Sequence, residues 1–150
     1  MMGYELVDVV APEDWAAYHA IRRQELFEAR GRHGVYDPNY PGERLPGMYP
    51  YLLRHNGKPL GTTRLDINGD GSAVFRLVAI TASEQGRGHG RVLGRMVEER
   101  ARAFGATVLL VNAARTALGY YEATGWHRHE WDESELVGIA SDCVQMRKLI

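Results

Sequence analysis

The stretch from Val74 to Arg91 constrains this chain most. Val74-Phe75-Arg76-Leu77-Val78-Ala79-Ile80 reads as a buried strand, a short connector follows, and Gln85-Gly86-Arg87-Gly88-His89-Gly90 leads into a helix. Glycines on alternate positions remove side chains that would block a ligand, and the first turn of a helix leaves backbone N–H groups without intrahelical partners. A strand that ends this way forms a phosphate cradle, to which the helix dipole and Arg87 or Arg91 add positive potential. The plainer reading of the same residues is a tight strand-to-helix turn that holds nothing.

Spacing narrows the ligand. A dinucleotide fingerprint requires G-x-G-x-x-G, but the sixth position is Arg91 counted from Gly86 and Leu93 counted from Gly88. A P-loop requires Lys-Ser or Lys-Thr after its glycines, and none follows here. The chain has 150 residues, one-domain size, with 45% hydrophobic and 25% charged residues and a formal net charge of −1. Acids and bases are interspersed, so no basic face points to nucleic acid, and a small-molecule partner is favoured. The single Cys143 excludes an intramolecular disulfide and a cysteine-rich metal site. Neither a basic leader nor an apolar run of membrane-spanning length is present, so a cytoplasmic location is expected.

Tyr4–Val10 alternates like a strand, and Ala11-Pro12-Glu13-Asp14 carries helix-start chemistry. Trp15, Tyr18, Ile21, Arg22, Leu26 and Ala29 recur at helical spacing up to Gly31. From Gly31 to Pro50 there are too many glycines and prolines for a regular element. A loop of that length is either a spacer or functional. Tyr51–His55 and Leu60–Ile67 are predicted strands around Asn56-Gly57, a hairpin turn, and Val74–Ile80 follows as the third antiparallel strand. Arg91–Phe104 shows one apolar face and ends at Gly105. Thr107–Val111 reads as a strand covered on both faces, and strand-helix-strand in this order implies a parallel pair with a right-handed crossover. Thr116 is placed to cap a helix through Thr124, and Trp126–Trp131 and Cys143–Leu149 are predicted final strands. The whole of 1–150 reads as a single domain.

Two segments carry a family resemblance. Gln85-x-x-Gly88-x-Gly90 resembles the acetyl-CoA pyrophosphate loop of the GCN5-related N-acetyltransferases. Asn112, the pair Tyr120-Tyr121, Gly125 and Trp126 resemble that family's second signature, with its alanine at Ala117, two residues later than in the tightest form. The resemblance spans about residues 51–150. It implies an α/β fold of acyl-CoA N-acyltransferase type, with a mixed, mostly antiparallel sheet flanked by helices. It also implies acetyl-CoA as co-substrate and direct transfer to a primary amine of a small molecule or peptide. A non-catalytic acyl-CoA-binding sensor or regulatory domain is the alternative. Arg23 and Asp66 faintly resemble the layout of the acyl-homoserine-lactone synthases, but those lack a loop like Gln85–Gly90.

A bulge in Val74–Ile80 would splay that strand from Thr107–Val111 and let its edge accept an extended pantetheine arm, with the Val78 and Ile80 backbones as the candidates. Gln85, Gly86, Arg87, Gly88, His89, Gly90 and Arg91 would hold the phosphates, and Asn112 completes the cofactor set. A backbone N–H near Ile80 could stabilise the tetrahedral oxyanion. Tyr121 stands where the resemblance implies the general acid that protonates the departing thiolate, or else it only packs its helix on the sheet. Glu25, Asp66, Glu130 and His129 are all candidates for the base, and spacing singles out none. Arg76 shares strand parity with Val78 and Ile80, so it either faces the acceptor or is a salt-bridged core arginine. Arg30 and Tyr36, on the irregular segment, are further acceptor candidates. His127 and His129 share parity but have no third ligand, so no metal is expected. Oligomeric state is open, a homodimer being the commonest solution.

Overall fold

A computed structural model describes residues 3–150. In chain order the regular elements are β1 (Tyr4–Asp8), α1 (Pro12–Arg22), β2 (Met48–His55), β3 (Lys58–Ile67), β4 (Ser72–Ile80), α2 (His89–Ala103), β5 (Val108–Ala113), α3 (Leu118–Ala123), β6 (His127–Arg128) and β7 (Val144–Leu149). The strands form one seven-stranded sheet in the order β1-β2-β3-β4-β5-β7-β6. The β4–β5 pair is parallel and every other pair is antiparallel, the mixed α/β architecture implied by the sequence.

Local chemistry sets the boundaries. Pro12 opens α1 with Glu13 and Asp14 at its positive end. The helix does not run uniformly to Gly31. It passes into a π turn over Arg23–Phe27 and a 3-10 turn over Glu28–Arg30, and Gly31 at φ +76° ends it. Such π insertions are frequent at functional sites. Asn56 and Gly57, at φ +52° and +81°, form the mirror-image turn that a two-residue hairpin requires. β2 begins at Met48, inside the segment expected to be irregular. Pro50 is tolerated there because pairing with β1 ends at Asp8 opposite Tyr51, so its missing N–H falls beyond that partner.

The sheet has helices on both faces. Leu93, Val97 and Ala101 of α2 pack with Leu53, Leu65, Phe75, Leu109, Val111, Tyr121 and Trp126 into the larger core cluster. On the opposite face Tyr18 of α1 packs with Val9 and Leu52, flanked by Trp15 and Ile21. The helix expected from Thr116 is split into a 3-10 turn, Arg115–Ala117, and the short α3. The strand expected over Trp126–Trp131 shrinks to His127–Arg128, the residues in ladder register with β7, and the His129 N–H adds one bond to the Gln145 carbonyl at 3.0 Å. Among the described residues, no helix is long and apolar enough to cross a membrane.

Candidate active site

One residue opens the sheet. Thr62 lies opposite Ala79 and Arg64 opposite Arg76, so three steps on β4 match two on β3. The extra residue forms a bulge around Leu77, which sits at φ +53°, a region non-glycine residues seldom occupy. The parallel β4–β5 ladder runs from Ser72/Val108 to Phe75/Val111 and stops. Beyond it the two strands fork, leaving one side of β4 from Arg76 to Ile80 without a strand neighbour. The bulge also reverses parity. Arg76 shares the α1 face with Arg64, whereas Val78 and Ile80 turn to the α2 face with Phe75, so the shared face expected for Arg76, Val78 and Ile80 does not exist.

The fork opens onto the glycine loop. Gly86 and Gly88 are at φ +78° and +85°, and a Cβ at residue 86, 88 or 90 would point into open space. Successive N–H groups in such a turn, continued by the free amides of the first α2 turn, form an anion-binding concavity. Gln85 locks this loop to the strand, its Nε2 donating to the Ile80 carbonyl at 2.8 Å. Arg87 and Arg91 are exposed, the first 3.4 Å from Glu84 and the second 6.0 Å from the Tyr120 ring centroid. The His89 side chain turns away into the fold, where its Nδ1 meets the Tyr4 hydroxyl at 2.6 Å, so only its backbone is available to a ligand. The loop therefore presents backbone N–H groups and two exposed cations of the kind that bind an anionic group.

Of the adjacent tyrosines, Tyr120 is committed: its hydroxyl donates to the Gly90 carbonyl at 2.9 Å. Tyr121 is buried and lines the cleft, and among the described residues nothing hydrogen-bonds its hydroxyl. Burial pushes its phenol above the usual tyrosine range, reinforced by Tyr120 and Cys143 nearby. It is therefore a protonated phenol at any working pH, fit to donate rather than to accept a proton.

The cleft has a volume of about 1100 Å³ and is lined by the fork, the loop, the π turn of α1 and the segments 35–43 and 135–143. A chain of alternating charges crosses its floor. Arg22 and Arg64 reach Glu43 Oε1 at 2.7 and 3.0 Å. Arg64 clasps Asp66 with Nε and NH2 at 2.7 and 2.9 Å, and Arg76 Nε reaches the same carboxylate at 3.1 Å. Arg76 then closes on both oxygens of Glu135. Asn112 Nδ2 donates to Glu135 at 3.1 Å, and Gln145 Nε2 donates to Asn112 Oδ1 at 3.0 Å. Arg76 and Asn112 are the first residues past the last β4–β5 pair, so Glu135 stitches the fork at its apex. Hydrogen bonds from Arg76 hold the Glu135 carboxyl below the usual range, against partial burial.

Arg30 and Tyr36 both line the cleft, Arg30 exposed and Tyr36 held by His19 Nδ1 at 2.6 Å. Of the four base candidates, Glu25 lines the cleft and Asp66 is there but locked between two arginines. His129 and Glu130 are exposed beyond β6 and are not part of it, and His127 is likewise exposed. Sequence reasoning placed Glu43 only within the irregular segment that the resemblance implies shapes the acceptor pocket, and it did not single out Arg22, Arg64 or Glu135 as site residues. Two charges on one face of β3, Arg64 and Asp66, both within a stretch that reads as buried strand, were the signal for such a cluster.

A model of the acetyltransferase (GNAT) domain family matches residues 24–150. Solved structures share the fold over nearly the whole chain. An acetyltransferase from Streptococcus agalactiae 2603 superposes with a TM-score of 0.78 at 18% identity, covering 100% of both chains. The ribosomal-protein-S18-alanine N-acetyltransferase from Escherichia coli gives 0.74 at 16%, covering 98% of this chain and 94% of that one. The PaiA N-acetyltransferase from Thermoplasma acidophilum, in complex with coenzyme A, gives 0.72 at 13%, covering 99% and 100%.

Proposed function

This chain belongs to the acetyltransferase (GNAT) domain family, and from that premise we propose that it transfers acetyl from acetyl-CoA to a primary amine of a small molecule or peptide, by direct attack in a ternary complex. The observation that carries the reading is the fork: β4 leaves β5 at Phe75, and the gap leads from the Tyr121 hydroxyl to the Gly86–Gly90 loop.

The co-substrate supplies an activated thioester. The open edge of β4 at Val78 and Ile80 would bind its extended arm as an added strand, and the loop its phosphates. A backbone N–H near Ile80 would face the developing oxyanion. Tyr121, a buried phenol that lines the cleft, would give its proton to the leaving thiolate. An acceptor ammonium, with a reference pKa of about 10.4, must first be relieved of a proton, and carboxylates line the cleft to receive it directly or through water.

Tyr121→Phe tests the assignment. Coenzyme A should stabilise wild type and variant alike, by about 2.7 kcal/mol at a hundred times its Kd. Thiol release at saturating acetyl-CoA should fall by about 10²–10⁴-fold in the variant. Unchanged turnover would eliminate Tyr121 as the acid. No stabilisation of wild type by acetyl-CoA or coenzyme A would remove the ligand reading of the loop.

A further inference from the structure

The charge on the floor of the cleft is already spent. Arg22, Arg64 and Arg76 alternate with Glu43, Asp66 and Glu135, three guanidiniums against three carboxylates, and none of these side chains is more than 24% exposed. A carboxylate or phosphate on an incoming acceptor would have to take one of these arginines from its partner, leaving a buried carboxylate uncompensated. Arg30 is the remaining described arginine of the lining, and it is exposed, where water and salt screen it.

The acids are not all spent. Glu25, presented by the π turn, lines the cleft without an arginine partner. Its Oε2 accepts the Ala82 N–H at 3.0 Å, at the end of β4, and its other oxygen has no described partner. The same stretch of lining carries Leu26, Phe27, Val35, Tyr36 and Tyr40, together with the exposed Arg30 and with Asp37, whose carboxylate accepts the Asn39 N–H at 2.8 Å. Val35 and Tyr40 are more than half exposed and so open to an apolar ligand. The segments that carry this wall and the opposite one are tied by Arg32 NH2 donating to the Gly138 carbonyl at 3.3 Å.

Resting on the acetyltransferase reading, we infer that the acceptor is a primary amine with an aromatic or aliphatic body and no carboxylate or phosphate, its ammonium drawn to Glu25 and its body lying against Leu26, Phe27 and Tyr36. Free amino acids and acidic metabolites are rejected because, among the described residues, the site offers no uncommitted buried cation.

The test is acetyl-CoA-dependent thiol release with amines matched except for the carboxylate: phenethylamine against phenylalanine, tryptamine against tryptophan, hexylamine against 6-aminohexanoate. Each amine should exceed its acid by about a hundredfold or more in kcat/KM. Phenylalaninamide, similar in bulk but without the negative charge, should recover most of the loss. Acids that equal their amines, or an amide no better than its acid, overturn the inference. So does stabilisation by acetyl-CoA with turnover of none of the series. Absence of acetyl-CoA stabilisation is a different result and sinks the acetyltransferase reading itself. Glu25→Gln should raise the KM for phenethylamine about tenfold, the worth of a hydrogen bond to a charged group, without changing the KM for acetyl-CoA. An unmoved amine KM removes Glu25 from the site.

Discussion

Replacing Glu43 by Gln keeps the shape of the side chain and deletes one charge from the middle of the floor network. Glu43 is 4% exposed and accepts from the Tyr18 hydroxyl at 3.0 Å as well as from Arg22 and Arg64. Arg64 would keep Asp66, but Arg22, itself 2% exposed, has no other described carboxylate. Breaking a buried pair from one side costs about 3–5 kcal/mol. At about 2–4 °C per kcal/mol for a chain of this size, that lowers Tm by about 6–20 °C. Urea unfolding at pH 7 gives the free energy directly. Adding Arg22→Met should return part of the loss, since an apolar residue then fills the space of an orphaned charge. The pH dependence has a definite sign. Burial pushes the Glu43 carboxyl up, but Arg22 and Arg64, with the hydrogen bonds they and Tyr18 donate, outweigh it and leave the group below the usual range. A lowered carboxyl contributes fully above its unfolded pKa, about 4.3, and loses that contribution as pH falls through the folded value. The gap between wild type and variant should therefore be constant from pH 6 to 8 and narrow below about pH 4. A loss under about 1 kcal/mol, the worth of a solvent-screened pair, would refute the buried-network account.

Gly88→Ala and Gly105→Ala make a matched pair at the two ends of α2, both at positive φ (+85° and +90°) with open space for a Cβ. Each should cost about 1–2 kcal/mol of stability. Only Gly88→Ala should also cut the stabilisation by coenzyme A, by about 1.4 kcal/mol for a tenfold loss of affinity. Equal ligand shifts in the two variants would mean that the loop does not approach the phosphates. Because burial raises the Tyr121 phenol above its ordinary value of about 10, kcat should not fall on its account between pH 7 and 10. A kcat that declines with an apparent pKa near 8 would place the acid elsewhere.

Much of the frame was legible because it is written locally. Asn56-Gly57 set a hairpin register, Gly105 set the end of α2, and the continuous apolar run through Leu109 and Val111 marked a strand covered on both faces. Element starts were less legible: α2 begins at His89 rather than Arg91, since Gly88 in the left-handed region can serve as its cap. The floor network was not legible. It joins residues 22, 43, 64, 66, 76 and 135, most of them far apart in the sequence. Periodicity tells which face a residue occupies, not which distant residue lies opposite it. Asn112, expected to meet the cofactor, and Arg76, expected to face the acceptor or to be a salt-bridged core arginine, are both bound to Glu135, which no local pattern marks.

The bulge at Leu77 does what no side chain in the site could do alone. It follows the last β4–β5 pair and, while Arg76 keeps the α1 face it has by regular alternation, sends Val78 to the α2 face beside Tyr121. Because the device is a backbone conformation, it can be tested without deleting a contact. A β-branched residue tolerates φ +53° worse than leucine, so Leu77→Val should lose about 1–2 kcal/mol and much of the coenzyme A-induced stabilisation as β4 relaxes toward a regular strand. Glycine adopts that conformation freely. Leu77→Gly should keep the ligand-induced shift, whatever it loses in packing, because the fork stays open. If Leu77→Val bound coenzyme A as tightly as wild type, the opening of the sheet would not depend on the conformation of residue 77.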